Sequence, residues 1–212
     1  VNRLITFEGV DGCGKSTQLR LAAEFLQARG EQVITTFEPG DTGLGKEIRK
    51  LLLAGEYLPV PEAELLLFLA DRAQHVREKI QPALATGAWV LCDRYSDSTL
   101  AYQLAARKLG DGAANLHEML SFAECGVSPA LTLWFDVPVE VAIERMKQRA
   151  AAGEKSTRLD DEAQSFHQRV AEGFTLQFAE QPARIKRINA ALDIAGVSEQ
   201  VEKVFREFYS LS

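Results

Sequence analysis

The sequence predicts an α/β protein, with a parallel sheet of five strands held between two layers of helices. Short runs of Val, Ile, Leu and Phe alternate with stretches whose apolar residues recur at helical spacing. Most of the runs are predominantly apolar, as strands covered on both faces require. The first of them leads through a glycine-rich turn into a helix.

Leu4-Ile5-Thr6-Phe7 is the first buried strand, and Lys15 to Ala28 reads as a helix ending at Gly30. Val33-Ile34-Thr35-Thr36 is the second strand, stopped by Glu38-Pro39-Gly40. A helix from about Gly45 to Leu53 follows, and Pro59 and Pro61 then break the chain. Glu62 to Ala85 has helical periodicity, with Pro82 expected to kink that helix or end it early. Trp89-Val90-Leu91-Cys92 is the third strand, ending at Asp93-Arg94, and helical stretches follow near Ser98 to Lys108 and Ala114 to Glu124. Leu131 to Phe135 is the fourth strand, Val139 to Ala150 is helical, and Ile185 to Ile188 is a short fifth strand. Ser198 to Phe208 closes the chain as an amphipathic helix.

The 212 residues suit a single domain, 1–212, large enough to bury a sheet. A net charge of -6 argues against broad binding to nucleic acid or anionic lipid, while leaving room for a local basic pocket. Cys13, Cys92 and Cys125 are too few and scattered for a disulfide framework or zinc site, and Cys92 reads as a small buried hydrophobe. There is no charged-then-apolar leader, and no apolar run approaches the roughly 20 residues of a membrane span, so the cytoplasm is the expected compartment.

In such sheets ligands bind beyond the carboxyl ends of the strands, and the loop after the first strand carries Gly9-Val10-Asp11-Gly12-Cys13-Gly14-Lys15-Ser16, followed by Thr17. The glycines let the backbone wrap a phosphate with its N–H groups at the positive end of the following helix. Lys15 would reach the β- and γ-phosphates of ATP, and the Ser16 hydroxyl would bind Mg²⁺. This is a P-loop, and alone it names no acceptor. The Asn-Lys-x-Asp of guanine-specific switches is absent.

Further segments narrow the choice: Phe7-Glu8-Gly9, Glu38-Pro39-Gly40, Ile48-Arg49, Leu67-Phe68-Leu69-Ala70-Asp71-Arg72, Thr157-Arg158-Leu159-Asp160 and Phe166-His167. The most telling is Asp93-Arg94-Tyr95-Ser96-Asp97-Ser98-Thr99-Leu100-Ala101-Tyr102-Gln103. With this order of motifs the chain resembles the thymidylate kinase family over nearly its whole length. The resemblance implies a P-loop nucleoside-monophosphate-kinase-like three-layer sandwich and transfer of the γ-phosphoryl of MgATP to dTMP, giving dTDP and ADP in dTTP synthesis. It also implies a homodimer.

Phe68 and Arg72, four apart on a predicted helix, share a face. On spacing alone, a core phenylalanine and a solvated arginine are the simpler account. The resemblance reverses it, implying that Phe68 stacks on thymine and Arg72 hydrogen-bonds a base carbonyl. Arg94, at a strand end, can grip the acceptor phosphate in bidentate fashion. Asp93 beside it can hold Mg²⁺, directly or through water, or orient Arg94. The resemblance further implies that Arg49 contacts the acceptor phosphate, that Asp11 faces the sugar 3′-hydroxyl or the metal region, and that Tyr102 crowds the sugar 2′ position. Ser98, Thr99 and Gln103 are expected to face the base. One departure is Phe37, where many bacterial members have arginine before Glu-Pro-Gly.

From about 145 to 161 the chain is rich in charge and small residues, among them Arg145, Arg149, Gly153, Glu154, Lys155 and Arg158. Solvated surface accounts for most of them, but phosphoryl transfer needs cations over developing charge and exclusion of water, which a basic lid supplies on closing. Some thymidylate kinases carry a P-loop arginine where this chain has Gly12. Those with glycine there use a lid arginine, so the resemblance implies Arg158 first and Arg149 second. Another nucleotide kinase, a P-loop regulator or a catalytically dead scaffold are the rival readings.

Overall fold

The computed structural model describes residues 2–109, 115–153 and 155–209. Its sheet has five strands, β1 (Leu4–Glu8), β2 (Val33–Phe37), β3 (Trp89–Asp93), β4 (Leu131–Asp136) and β5 (Ile185–Asn189). Their order is β2-β3-β1-β4-β5, with every pairing parallel. β1 lies at the centre and is buried along its whole length, whereas β2 at one edge keeps Ile34, Thr35 and Phe37 exposed. The order reverses direction on either side of β1, which opens a crevice at the carboxyl ends of β1 and β3.

Helix α1 (Lys15–Gln27) and helix α9 (Ile194–Tyr209) pack together on one face, where Leu26 and Phe205 meet Ile5, Phe7, Trp89 and Leu91. Leu4, Val90 and Cys92 point to the other face and pack against Val76 and Ile80. Cys92 is therefore the buried hydrophobe its sequence context suggests, and burial pushes its thiol well above the ordinary range. The period-two alternation of a strand divides the sheet residues between these two layers.

Helix α2 (Gly43–Leu53) starts at Thr42, whose side chain accepts from the Gly45 N–H. Helix α3 (Pro61–His75) begins with proline at its first turn, where the missing N–H costs nothing. The kink expected at Pro82 takes a definite form. A π-helical turn, Val76–Ile80, precedes α4 (Gln81–Ala85), widening the helix just where the proline ring would strike the carbonyl four residues back. A second π-helical stretch, Leu100–Ala106, continues α5 (Ser96–Thr99) and carries Tyr102 and Gln103. Helix α6 spans Leu116–Ala123 and α7 spans Val139–Ala151; Ala114, where the sixth helix was expected to begin, and Glu154 lie outside the described residues.

The sequence reading has no helix between 151 and 184, yet α8 (Gln164–Glu180) is the longest helix described. Phe166, Val170 and Phe174 recur every four residues and bury one stripe against the Leu100–Ala106 segment. That periodicity was there to be read.

Candidate active site

The cleft at the strand ends encloses about 980 Å³ and runs from the P-loop to α3. At one end of the cleft the chain turns from β1 into α1 through Gly9, Gly12 and Gly14, all at positive φ. Two of these turns also depend on close approach: a Cβ on Gly9 would sit 2.6 Å from the Phe135 carbonyl, and one on Gly12 only 2.3 Å from the Ala142 carbonyl of α7. The backbone of α7 thus occupies the space a P-loop side chain would need. Val10 and Cys13 turn into the core, so only their backbone is available to a nucleotide. Gly12, Gly14, Lys15, Ser16 and Thr17 line the cleft. Lys15 is folded back, with Nζ 3.1 Å from both the Gly9 and Val10 carbonyls.

Next to the loop lies a cluster of four side chains. Arg94 Nη2 donates to Asp11 Oδ1 at 2.7 Å and to the Tyr102 hydroxyl at 3.0 Å, while that hydroxyl donates to Asp11 Oδ2 at 2.8 Å. Arg94 Nη1 reaches Ser98 Oγ at 2.9 Å. Burial would raise the Asp11 carboxyl, but Arg94 and then Lys15 hold it well below the usual carboxylate range. Burial also opposes charge on Arg94, and Asp11 overcomes it, so the guanidinium stays protonated. Arg94 takes a positive φ of 71° at the end of β3, a costly conformation for a side chain with a Cβ. Glu8 stabilises the turn from beneath: Oε1 accepts the Tyr95 N–H at 2.7 Å and Oε2 the Ser98 hydroxyl at 2.5 Å.

At the opposite end of the cleft, Phe68 and Arg72 line it from one face of α3. Arg72 is almost fully buried: Nε donates to Glu38 Oε2 at 2.9 Å, Nη1 to Thr99 Oγ1 at 3.0 Å, and the guanidinium lies 4.9 Å from the Tyr95 ring centre. Glu38, which sequence reasoning treated as part of a turn, also meets His75 Nδ1 at 2.8 Å. Arg49 lines the cleft with Nη1 on the Pro39 carbonyl at 2.7 Å, and its guanidinium sits 5.7 Å from the Phe37 ring centre. Phe37, the departure from the bacterial pattern, is thus an exposed aromatic wall beside that arginine.

Ser16 Oγ donates to Asp93 Oδ2 at 2.8 Å, bringing together two hard oxygen donors of the kind Mg²⁺ takes. Among the described residues there is no group of three or more His, Cys, Asp or Glu able to hold a metal by themselves. A metal here would take its other ligands from water and phosphate.

The residues expected to form a lid separate. Arg145, Arg149, Lys155 and Thr157 line the cleft. Arg158 instead turns to the protein: Nε donates to the Leu52 carbonyl at 3.1 Å, and Nη2 pairs with the buried Glu64 carboxylate. Glu64 also takes Gln103 and Arg107, and sequence reasoning missed it. Its signal was its place on the face that carries Phe68 and Arg72, four and eight residues further along α3.

A parallel sheet with a glycine-rich phosphate-loop motif after its central strand, and an arginine-lined cleft across the crevice, is the architecture of a P-loop nucleoside monophosphate kinase. Comparison with known proteins makes it particular. The thymidylate kinase family model matches residues 7–201. The chain is 44% identical to the thymidylate kinase of Syntrophus aciditrophicus over 93% of its own length and 91% of that protein's. It is 51% identical to the one from Carboxydothermus hydrogenoformans over 84% of each, and 43% identical to that of Trichormus variabilis over 98% and 95%. The chain belongs to the thymidylate kinase family, whose function is phosphoryl transfer from ATP to dTMP.

Proposed function

We propose that this cleft transfers the γ-phosphoryl of MgATP to the 5′-phosphate of dTMP, the P-loop holding the donor and the Asp11–Arg94–Tyr102 cluster the acceptor. The observation that carries this reading is the position of that cluster, between the P-loop and the Phe68–Arg72 face of α3. The acceptor oxygen is already anionic, so no strong general base is needed. Catalysis comes from in-line positioning and neutralised charge.

In this reading Arg94 grips the acceptor phosphate, with Asp11 and Ser98 fixing its two Nη atoms. Arg49 supplies a second cation. Phe68 provides the flat platform for the base, Arg72 a donor to a base carbonyl, and Thr99 and Gln103 the adjoining wall. Tyr102 abuts the sugar and disfavours a 2′-hydroxyl. Lys15 moves from its loop carbonyls to the β- and γ-phosphates. Ser16 and Asp93 would hold Mg²⁺, which when bound supplies positive charge to the phosphate oxygens. We assign the lid cation to Arg149, because it lines the cleft and Arg158 does not. A cytoplasmic setting belongs to the same reading and suits a chain with free thiols.

A panel of dTMP, dUMP, dCMP, UMP, AMP and GMP tests the assignment by steady-state kinetics. The expected result is the highest kcat/KM with dTMP. A different best acceptor would overturn the substrate, and ATP binding without transfer to any monophosphate would point to a regulator.

The homodimer implied by the resemblance is supported by exposed apolar side chains on two helices that pack side by side, Leu66 of α3 and Phe122 of α6. Light scattering is expected to give twice the chain mass of 23.4 kDa, and Phe122→Glu to shift it toward that of the monomer. A wild-type mass of one chain at micromolar concentration would dismiss the dimer.

A further inference from the structure

Glu64 is 1% exposed and takes no part in the transfer described above, yet three side chains donate to it. Gln103 Nε2 lies 3.0 Å from Oε1, Arg107 Nε 3.1 Å from Oε1 and Nη2 3.2 Å from Oε2, and Arg158 Nη2 also bonds Oε2. Of the four residues, Gln103 alone lines the cleft. Burial by itself would raise the Glu64 carboxyl, but the hydrogen bonds from Arg107, Arg158 and Gln103 bring it below its ordinary value, so it is a carboxylate at neutral pH.

A carboxylate only accepts hydrogen bonds. The end of the Gln103 amide facing Glu64 must therefore be the nitrogen, and the carbonyl oxygen is the end left for a ligand. Thymine and uracil carry a proton on N3, whereas cytosine carries a lone pair there. A carbonyl aimed at the base edge accepts from the first two and repels the third.

We propose that Glu64 is a positioning residue for base specificity: by taking the Gln103 amide nitrogen it aims the amide carbonyl into the acceptor cleft and selects pyrimidines protonated at N3. The inference rests on reading this cleft as the dTMP site. The two arginines complete the device by occupying both carboxylate oxygens. With glutamine at position 64 the single amide oxygen would be claimed by Arg107 and Arg158, leaving the NH₂ group to face Gln103. Gln103 would then flip and offer the cleft a donor, which suits the lone pair of cytosine N3.

The test compares kcat/KM for dTMP, dUMP and dCMP in the wild type, Glu64→Gln and Arg107→Ala. Glu64→Gln is expected to lower the dTMP-to-dCMP ratio by about 10-fold or more, the size of one hydrogen-bonding mismatch at a base edge. The change appears in the KM of the acceptor, with the KM of ATP and the dTMP-to-dUMP ratio within about two-fold. Arg107→Ala, which leaves the Gln103–Glu64 bond in place, is expected to lower stability and keep the ratio. An unchanged dTMP-to-dCMP ratio in Glu64→Gln, in an enzyme whose wild type prefers dTMP, overturns the inference and leaves the dTMP reading standing. A wild type inactive on dTMP overturns both. Should Glu64→Gln not fold, Gln103→Met serves: loss of the forward carbonyl lowers the same ratio, and a ratio that holds or rises means the amide faced the other way.

Discussion

The Ser16 hydroxyl donates to Asp93 Oδ2 across 2.8 Å, joining the first turn of α1 to the carboxyl end of β3. The two residues come from neighbouring strand–helix units and meet because β1 and β3 are adjacent in the sheet. If this pair holds Mg²⁺, Asp93→Ala raises the Mg²⁺ concentration for half-maximal activity by about 10-fold or more, the usual scale for losing a metal contact. Thermal unfolding without nucleotide is expected to change little. Activity titrations against Mg²⁺ at fixed ATP check this; an unaltered midpoint takes Asp93 out of the metal site.

The two lid arginines are expected to behave differently. Arg149→Ala lowers kcat by roughly 10²-fold, the effect of losing a cation that serves only the transition state. Arg158→Ala removes a buried charge-assisted hydrogen bond and costs about 1–3 kcal/mol of stability, with kcat reduced far less. Steady-state kinetics and thermal melts on both variants separate the roles, and the reverse pattern gives the catalytic cation to Arg158.

Glu8 makes stability fall with rising pH. Burial pushes its carboxyl from 4.5 to about 8, with Asp97 nearby adding to the effect. An unfolded chain loses this proton near its ordinary value and the fold keeps it, so the native state binds more protons in between. Stability from this group is present below about pH 4.5 and is lost as pH climbs through about 8. Asp71, raised to about 6 by burial, acts with the same sign over a lower range. Asp11, held low by Arg94, acts oppositely and only in acid. Melting temperatures between about pH 5 and 9 are expected to decline in the wild type and to be flatter in Glu8→Gln, which mimics the protonated carboxyl. Identical slopes would rule Glu8 out as the cause.

Much of the fold was legible in the sequence because a parallel sheet writes itself as separated apolar runs. All five strands fall where those runs do, within a residue or so of each end. Helix α8 was legible too, since Phe166, Val170 and Phe174 keep helical spacing. The π-helical turns were not legible. Pro82 announces a disturbance, and only the packing of Val76 and Ile80 under β1 and β3 decides that the helix widens instead of ending.

For the site the division follows the range of the interaction. The P-loop and the Phe68–Arg72 face are built from residues a few positions apart, so their spacing can be read from the sequence, although the turns at Gly9 and Gly12 also answer to the distant Phe135 and Ala142 carbonyls. Which side chain satisfies which charge is a matter of distant segments: Asp11 meets Tyr102 across 91 positions and Arg158 meets Glu64 across 94. Such pairs exist because the crossovers bring β1, β3, α3 and the segment after α7 to one crevice, and a buried carboxylate there must take whichever cations reach it. The sequence therefore determined the class of chemistry. The tertiary structure decided that Glu64 holds Arg158, that Arg149 lines the cleft, and that Gln103 gives its amide nitrogen to the same buried carboxylate.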